Sequence, residues 1–106
     1  IFLNGEVKWG ISEYFNLQKF FPGDSYNLEH CEHNPGAEMS NRILAWMFYL
    51  NDIENGGGTC FPQQNFTTTP FAGDLYIWPA SWTHSHYGLA SYDTDKYILT
   101  GWCKYV

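Results

Sequence analysis

Short runs of aromatic and β-branched residues, interrupted by Gly, Pro, Asn and Asp, constrain the fold of this chain most. Turn sequences such as Pro22-Gly23-Asp24 and Asn34-Pro35-Gly36 separate the runs. This pattern predicts about eight short strands, at residues 17–21, 26–33, 42–50, 59–62, 66–69, 75–78, 83–89 and 96–106. That many strands in 106 residues favour a single mainly β domain over residues 1–106, either a sandwich or a double-sheet jelly roll.

Few or no helices are expected in such a domain. We predict at most one or two short ones, before Leu17 or in the loop at residues 34–41. The run 42–50 is the most apolar, and its Ala, Leu, Met and Trp residues are also compatible with a helix. We predict it to be a central strand, because a jelly roll requires one at this place.

Composition and charge narrow the classes of partner. The formal net charge is −6, which argues against nucleic acid and against anionic membranes as partners. No apolar run approaches the roughly 18–20 residues of a membrane span, and no signal peptide is recognisable at the start. The chain does not begin with Met, which is compatible with a missing upstream segment. Three cysteines without CxxC spacing predict neither a disulfide framework nor a zinc site, and favour the cytoplasm or another reducing compartment.

All four histidines lie in two short clusters. If 26–33 is a strand, His30 and Glu32 project from the same face and offer an imidazole and a carboxylate to one divalent metal. His84 and His86 share a face in the same way, and one of them would complete a set of two His and one carboxylate, the set typical of non-haem Fe(II) oxygenases. By the same alternation, Cys31 should point away from the metal into the core and His33 should be exposed.

Lys96 is a third candidate, although a lysine that opens a strand is, on local grounds alone, expected to extend to solvent. It stands between an acidic turn and the apolar run Tyr97-Ile98-Leu99. Its ammonium would either extend to solvent or pair with a ligand carboxylate inside the barrel. Because the chain has only five Lys and Arg residues, it offers few anchors for an anionic ligand.

The order of motifs along the chain adds to these local signals. After His30-Cys31-Glu32 the following motifs occur in sequence: Tyr49-Leu50-Asn51, Gly56-Gly57-Gly58-Thr59-Cys60-Phe61-Pro62, Gly73-Asp74, Pro79, His86, Lys96 and Trp102. Over residues 17–105, this order resembles the prolyl 4-hydroxylase branch of the Fe(II)/2-oxoglutarate-dependent dioxygenases. The resemblance implies a double-stranded β-helix, that is, a jelly roll.

The resemblance also implies an activity and a metal site. The activity would be hydroxylation of an unactivated C–H bond, with peptidyl proline as the default substrate and 2-oxoglutarate as cosubstrate. His30, Glu32 and His86 would bind Fe(II), and ascorbate would be an accessory reductant. His86 is preferred over His84 because its distance along the chain to Lys96 fits the family.

Further site residues come from the same resemblance. Lys96 would pair with the distal carboxylate of 2-oxoglutarate, and Thr59 and Tyr49 would donate hydroxyls to it. Arg42 would contact a peptide substrate. Tyr26 and Trp102 would line the site, Tyr26 on the substrate side and Trp102 on the cosubstrate side.

The chain departs from the family pattern in several places. Glu32 replaces the usual Asp and is one methylene longer, which leaves open whether full activity is kept. Tyr26 stands four residues before His30, where three is common, so we expect a bulge there. Phe20 and Phe21 occupy a region where many members have a Tyr, which makes Tyr49 a stronger donor candidate. The family's N-terminal helices and strands, which normally brace the major sheet, are not recognisable, which makes a partner chain a candidate to cover that surface.

Two other functions remain open. One is a catalytically silent jelly-roll module that binds metal or another protein. The other is a cupin-type metalloenzyme that uses both His84 and His86, although cupins usually carry the HxH motif first. The sequence leaves a peptide or a free amino acid as substrate and is compatible with a homo-oligomer.

Overall fold

Residues 7–36 and 39–106, which the computed structural model describes, form seven β-strands and two single-turn 3₁₀ helices. The strands are β1 (Trp9–Phe20), β2 (Arg42–Tyr49), β3 (Thr59–Phe61), β4 (Phe66–Thr67), β5 (Leu75–Pro79), β6 (Tyr87–Gly88) and β7 (Lys96–Tyr105). The 3₁₀ helices span Pro62–Gln64 and Trp82–His84. In this part of the chain, no helix is long and apolar enough to cross a bilayer.

The strands form two antiparallel sheets. The major sheet has the order β1-β7-β2-β5, and the minor sheet has the order β4-β3-β6. The core lies between them and contains residues of both: Ala45, Met47, Tyr49, Phe61, Trp78 and Ile98. The predicted mainly β fold with few helices is therefore confirmed.

The central strand β2 shows how the alternation of side chains builds this core. Ala45, Met47 and Tyr49 are buried in the core, whereas Trp46 and Phe48 share the opposite face, where their rings contact each other. A period of two is the pattern of a strand. The prediction that 42–50 is a strand rather than a helix is correct.

The strand β1 begins well before the predicted start at residue 17. It pairs with β7 along its length, from Trp9 opposite Tyr105 to Phe20 opposite Lys96. The prediction of a short helix before Leu17 is therefore wrong for residues 7–16. Residues 1–6 lie outside the described residues. Residues 37 and 38 of the 34–41 loop also lie outside them, and the described part of that loop holds turns and bends.

The 3₁₀ helices lie where turn chemistry favours them rather than where they were predicted. Pro62 occupies the first turn of one, where its missing N–H costs nothing. Ser81 caps the other by accepting a hydrogen bond from the Thr83 N–H. The predicted strand 83–89 therefore shrinks to Tyr87–Gly88.

The predicted strand 26–33 is also wrong, for a reason visible in its pairing. His30 pairs with His86 in an isolated antiparallel bridge. In a regular ladder Gly88 would then bond residue 28, but its N–H donates to the Tyr26 carbonyl at 2.7 Å. The segment thus contains two more residues than its partner, in line with the bulge expected before His30, and it cannot continue as a strand.

Candidate active site

Three side chains from two distant parts of the chain converge beside the minor sheet. Glu32 Oε2 lies 3.1 Å from His30 Nε2 and 2.9 Å from His86 Nε2. Ligand atoms of all three residues lie within 4.8 Å of one another. The bridge between His30 and His86 has both of its backbone hydrogen bonds, at 3.0 and 2.9 Å. Backbone pairing, rather than a shared strand face, therefore brings the two imidazoles together.

Both imidazoles are oriented by backbone carbonyls. His30 Nδ1 donates to the Leu28 carbonyl at 2.8 Å, and His86 Nδ1 donates to the His84 carbonyl at 2.9 Å. A neutral imidazole that donates through Nδ1 keeps a lone pair on Nε2. In both residues Nε2 is the atom that faces Glu32. When Nε2 also carries a proton, it donates to the Glu32 carboxylate, and when that proton leaves, the lone pair can bind a metal on the same side.

The Glu32 carboxylate is held by hydrogen bonds. Burial raises the pKa of this carboxyl, but hydrogen bonds with His30, His86 and Trp102 outweigh that effect and hold the pKa well below its usual range. The hydrogen bond with Glu32 likewise raises the pKa of His30. The Trp102 indole N–H donates to Glu32 Oε1 at 2.9 Å, which leaves Oε2 directed at the two imidazoles.

The geometry of the three ligand atoms fits one divalent ion. Ligands bound at about 2.0–2.2 Å and at right angles to each other lie about 3 Å apart, and both distances from Glu32 Oε2 match this value. Two imidazoles and one carboxylate are the donor set of non-haem iron oxygenases, which leaves coordination positions open for other ligands. The longer side chain of Glu32 reaches both imidazoles.

His86 belongs to this cluster and His84 does not. The His86 ring is buried against Phe61 and Trp78, with ring centroids 5.2 and 5.0 Å away. The His84 ring contacts the neighbouring Thr83 hydroxyl instead, with 2.9 Å between Nδ1 and Oγ1. A cupin-like site that uses both histidines of the second cluster has no support in this arrangement.

A cavity of about 400 Å³ lies beside the cluster. The three candidate ligands line it together with Lys96, Thr59, Trp102, Arg42 and Tyr26. Of the site residues that the resemblance implies, all except Tyr49 therefore line one cavity.

Lys96 is an unusual wall residue for this cavity. It is only 3% exposed, and this burial lowers the pKa of its ammonium to about 8. The Phe20 and Tyr49 ring centroids lie 5.4 and 6.0 Å from its Nζ. Over residues 7–36 and 39–106, no carboxylate forms an ion pair with it. The cavity therefore offers a desolvated positive charge to an anionic ligand.

Tyr49 lies behind the cavity wall. It is fully buried, and its hydroxyl forms hydrogen bonds with the Thr59 and Thr68 hydroxyls. Burial raises the pKa of this phenol. The Tyr49 hydroxyl thus forms hydrogen bonds with two threonines, and Tyr49 does not line the cavity.

Arg42 and Tyr26 each contact another site residue. The Arg42 guanidinium stacks on the Trp102 ring at 3.8 Å from its centroid, and Nη1 donates to the Glu32 carbonyl at 3.4 Å. The Tyr26 ring packs edge-on against His30 at 4.7 Å between centroids. Arg42 is therefore linked to Glu32 by two routes.

Sequence reasoning missed several residues. Thr68 lies in the β-branched run 66–69, which predicts only a strand, and no local sequence signal links it to Tyr49. Two polar residues of β1, Asn16 and Gln18, also line the cavity. Their alternation with the apolar Leu17 is a sequence signal that they share one face of a strand. Cys31 was predicted to point into the core, but it is partly exposed and lines the cavity, because the segment around it is not a regular strand.

Comparisons with known proteins identify the family of this chain. A profile of the 2OG-Fe(II) oxygenase superfamily matches residues 13–104. The protein named "Probable prolyl 4-hydroxylase 9" from Arabidopsis thaliana is 38% identical over 56 residues, which are 50% of this chain and 19% of that protein. The chain thus spans about a fifth of this curated relative.

Two solved structures have the same fold. A viral collagen prolyl hydroxylase from Paramecium Bursaria Chlorella virus-1, solved with 2OG, superposes with a TM-score of 0.78 at 22% identity, covering 93% of this chain and 61% of that one. A prolyl-4-hydroxylase from Pseudomonas putida gives a TM-score of 0.68 at 20% identity, covering 85% and 51%. At these identities the superpositions establish the fold, and they confirm the jelly-roll prediction. Because the superfamily profile matches most of its length, this chain belongs to the 2OG-Fe(II) oxygenase superfamily.

Proposed function

We propose that this protein is an Fe(II)- and 2-oxoglutarate-dependent dioxygenase that hydroxylates an unactivated C–H bond, with peptidyl proline as its substrate. The observation that carries the proposal is the meeting of two features in one cavity. Three metal-ligand atoms converge at one place in its wall, and a buried lysine lies in the same wall. Together they would bind a metal and a small dicarboxylate.

His30, Glu32 and His86 are the proposed ligands of Fe(II). Bound there with 2-oxoglutarate, Fe(II) supplies the oxidising chemistry that activates dioxygen for insertion of one oxygen atom into a C–H bond. Neighbouring groups of the protein hold the three ligand side chains in place. Carbonyls fix both imidazoles, and the Trp102 indole holds the far oxygen of the Glu32 carboxylate.

Lys96 and Thr59 are the proposed partners of the distal carboxylate of 2-oxoglutarate. In a chain with net charge −6, an anionic cosubstrate needs a local positive charge, and Lys96 supplies one inside the cavity. Burial removes water from the Lys96 ammonium. A carboxylate that reaches it therefore supplies the charge-assisted hydrogen bonds that water no longer provides. Charge-assisted contacts of this kind typically contribute about 1.5–3 kcal/mol.

Arg42 and Tyr26 are the proposed contacts for a peptide substrate. Tyr26 is 53% exposed and packs on His30, so a peptide that touches it lies close to the metal ligands. Stacked on Trp102, the Arg42 guanidinium is positioned to donate to a peptide carbonyl.

The test is an assay of coupled turnover. The protein is incubated with Fe(II), 2-oxoglutarate, ascorbate and a proline-rich peptide, and succinate and the peptide mass are measured. We expect succinate and a peptide that has gained one oxygen atom. His86→Ala should abolish both products, while His84→Ala, at a histidine outside the cluster, should retain them.

Two results would contradict the proposal in different ways. Metal binding without succinate, whatever the substrate, would indicate a catalytically silent binding module. Succinate with unmodified proline peptides, but with an oxidised free amino acid or a different residue, would keep the dioxygenase and overturn the assigned substrate.

A further inference from the structure

A chain of three hydroxyls lies directly behind the cavity wall. The Tyr49 hydroxyl lies 3.2 Å from Thr59 Oγ1 and also forms a hydrogen bond with Thr68 Oγ1. All three residues are at most 5% exposed. Of the three, only Thr59 lines the cavity, so the chain runs from Thr68 through Tyr49 to a residue that a ligand can touch.

The backbone holds the two threonines together. The Thr68 N–H donates to the Thr59 carbonyl at 3.0 Å, and the Thr59 N–H donates to Thr68 Oγ1 at 2.8 Å. Gly58 permits this close approach, because a Cβ there would lie 2.3 Å from the Thr68 carbonyl oxygen. Thr68 Oγ1 therefore already accepts one hydrogen bond, and its position is fixed.

Counting donors and acceptors sets the direction of the chain. Each hydroxyl has one proton to donate. If Tyr49 donated to Thr68, the Thr68 proton would have no acceptor among the described residues, and a buried unpaired O–H is costly. If Thr68 donates to Tyr49, Tyr49 donates to Thr59, and the proton of the Thr59 hydroxyl is free for the cavity. Only the second direction gives the Thr68 and Tyr49 hydroxyls an acceptor each and leaves the Thr59 hydroxyl to donate into the cavity.

We infer that Thr68 is a positioning residue that acts through Tyr49 to turn the Thr59 hydroxyl proton into the cavity as a donor to a ligand carboxylate. The inference rests on the proposed function, since 2-oxoglutarate is the ligand whose carboxylate would accept this proton. It assigns Tyr49 an indirect role in place of direct contact with the cosubstrate. Neighbouring hydrogen bonds in such a chain polarise one another, so the terminal donor is strengthened.

The experiment measures 2-oxoglutarate binding by calorimetry to protein loaded with Mn(II), without oxygen. Thr68→Val keeps the shape of the side chain and removes its hydroxyl. We expect its Kd for 2-oxoglutarate to rise about 3- to 10-fold, with the Kd for Mn(II) unchanged. Tyr49→Phe should give a similar loss, and Thr68→Ser should restore binding. Thr69→Val, at the exposed neighbouring threonine, is the matched control and should bind as the wild type does.

A double-mutant cycle separates positioning from general damage to the fold. In the Thr59→Val background the terminal donor is gone, so adding Thr68→Val should have no further effect on 2-oxoglutarate binding. An unchanged Kd in Thr68→Val, or an undiminished effect in the Thr59→Val background, would overturn the inference while leaving the proposed function intact. A wild-type protein that binds Mn(II) but not 2-oxoglutarate would overturn both.

Discussion

Lys96 shows how one residue can link stability to ligand binding. Its ammonium is buried in the cavity wall, and burial lowers its pKa from 10.5 to about 8. Between pH 8 and 10.5 the unfolded chain keeps the proton that the folded protein has lost. Stability should therefore rise with pH across this window, and the penalty for the buried charge should be fully present below pH 8.

Lys96→Met tests this penalty. The shift corresponds to about 3 kcal/mol as an upper bound, so we expect the variant to be more stable than the wild type by about 1–3 kcal/mol at pH 7 without ligand. The difference should shrink as the pH rises from 8 to 10.5. Urea unfolding at several pH values measures it, and 2-oxoglutarate should no longer stabilise the variant. A variant that is less stable than the wild type at pH 7 would show that the ammonium is already paired.

Trp102 positions the Glu32 carboxylate, and the chain offers a matched test. Trp102→Phe keeps an aromatic ring, smaller than the indole, but loses the N–H that holds Oε1. Outer partners of metal ligands typically contribute 10- to 100-fold to metal affinity, so we expect Mn(II) binding to weaken about 10-fold in calorimetry. Trp82→Phe, at a tryptophan that is 75% exposed, should bind Mn(II) unchanged. Equal affinities in all three proteins would leave Trp102 with a packing role only.

At the scale of elements, the pairing of β3 with the chain after β4 brings Thr59 and Thr68 together. Gly58→Ala should force apart the backbones at this point, because the new Cβ would meet the Thr68 carbonyl oxygen, which is not a flexible side-chain end. We expect a loss of about 2 kcal/mol or more in unfolding free energy, measured by urea titration. Gly10→Ala in β1, where nothing lies within 4 Å of the added Cβ, should change stability by less than about 0.5 kcal/mol. Similar losses in the two variants would remove the steric explanation.

The elements that the sequence predicted well are those whose own pattern decides their structure. Residues 42–50 and 96–106 are long alternating runs, and they became β2 and β7. The segments 26–33 and 83–89 failed because their ends depend on pairing with each other, and a two-residue excess in one of them is invisible in its composition. The polar face of β1 that lines the cavity was not predicted, because alternation alone suggests that the apolar residues face inward. In β1 the opposite holds, since the apolar Phe15 and Leu17 are exposed.

At the scale of the whole molecule, the candidate site depends on contacts that no local pattern encodes. The imidazole and carboxylate of the first cluster meet His86 more than fifty positions later, through a bridge between two irregular segments. The order of motifs predicted this meeting only through resemblance to a family. Thr68, which belongs to no motif quoted for that family, could be linked to the site only after the strands were seen to pair.

Metal binding should therefore stabilise the fold as a unit. An ion held by His30, Glu32 and His86 joins the segment before β2 to the segment before β6, and Trp102 ties both to β7. At one hundred times its Kd, a ligand that binds only the folded state adds about 2.7 kcal/mol, which corresponds to a rise in Tm of roughly 10–20 °C for a domain of this size. Calorimetric scans with and without Mn(II) measure the rise, and hydrogen exchange should slow most at residues 26–32. Glu32→Gln, which preserves the shape of the side chain but removes its charge, should lose most of both effects. A Tm that rises equally in Glu32→Gln would mean that the stabilising ion binds elsewhere.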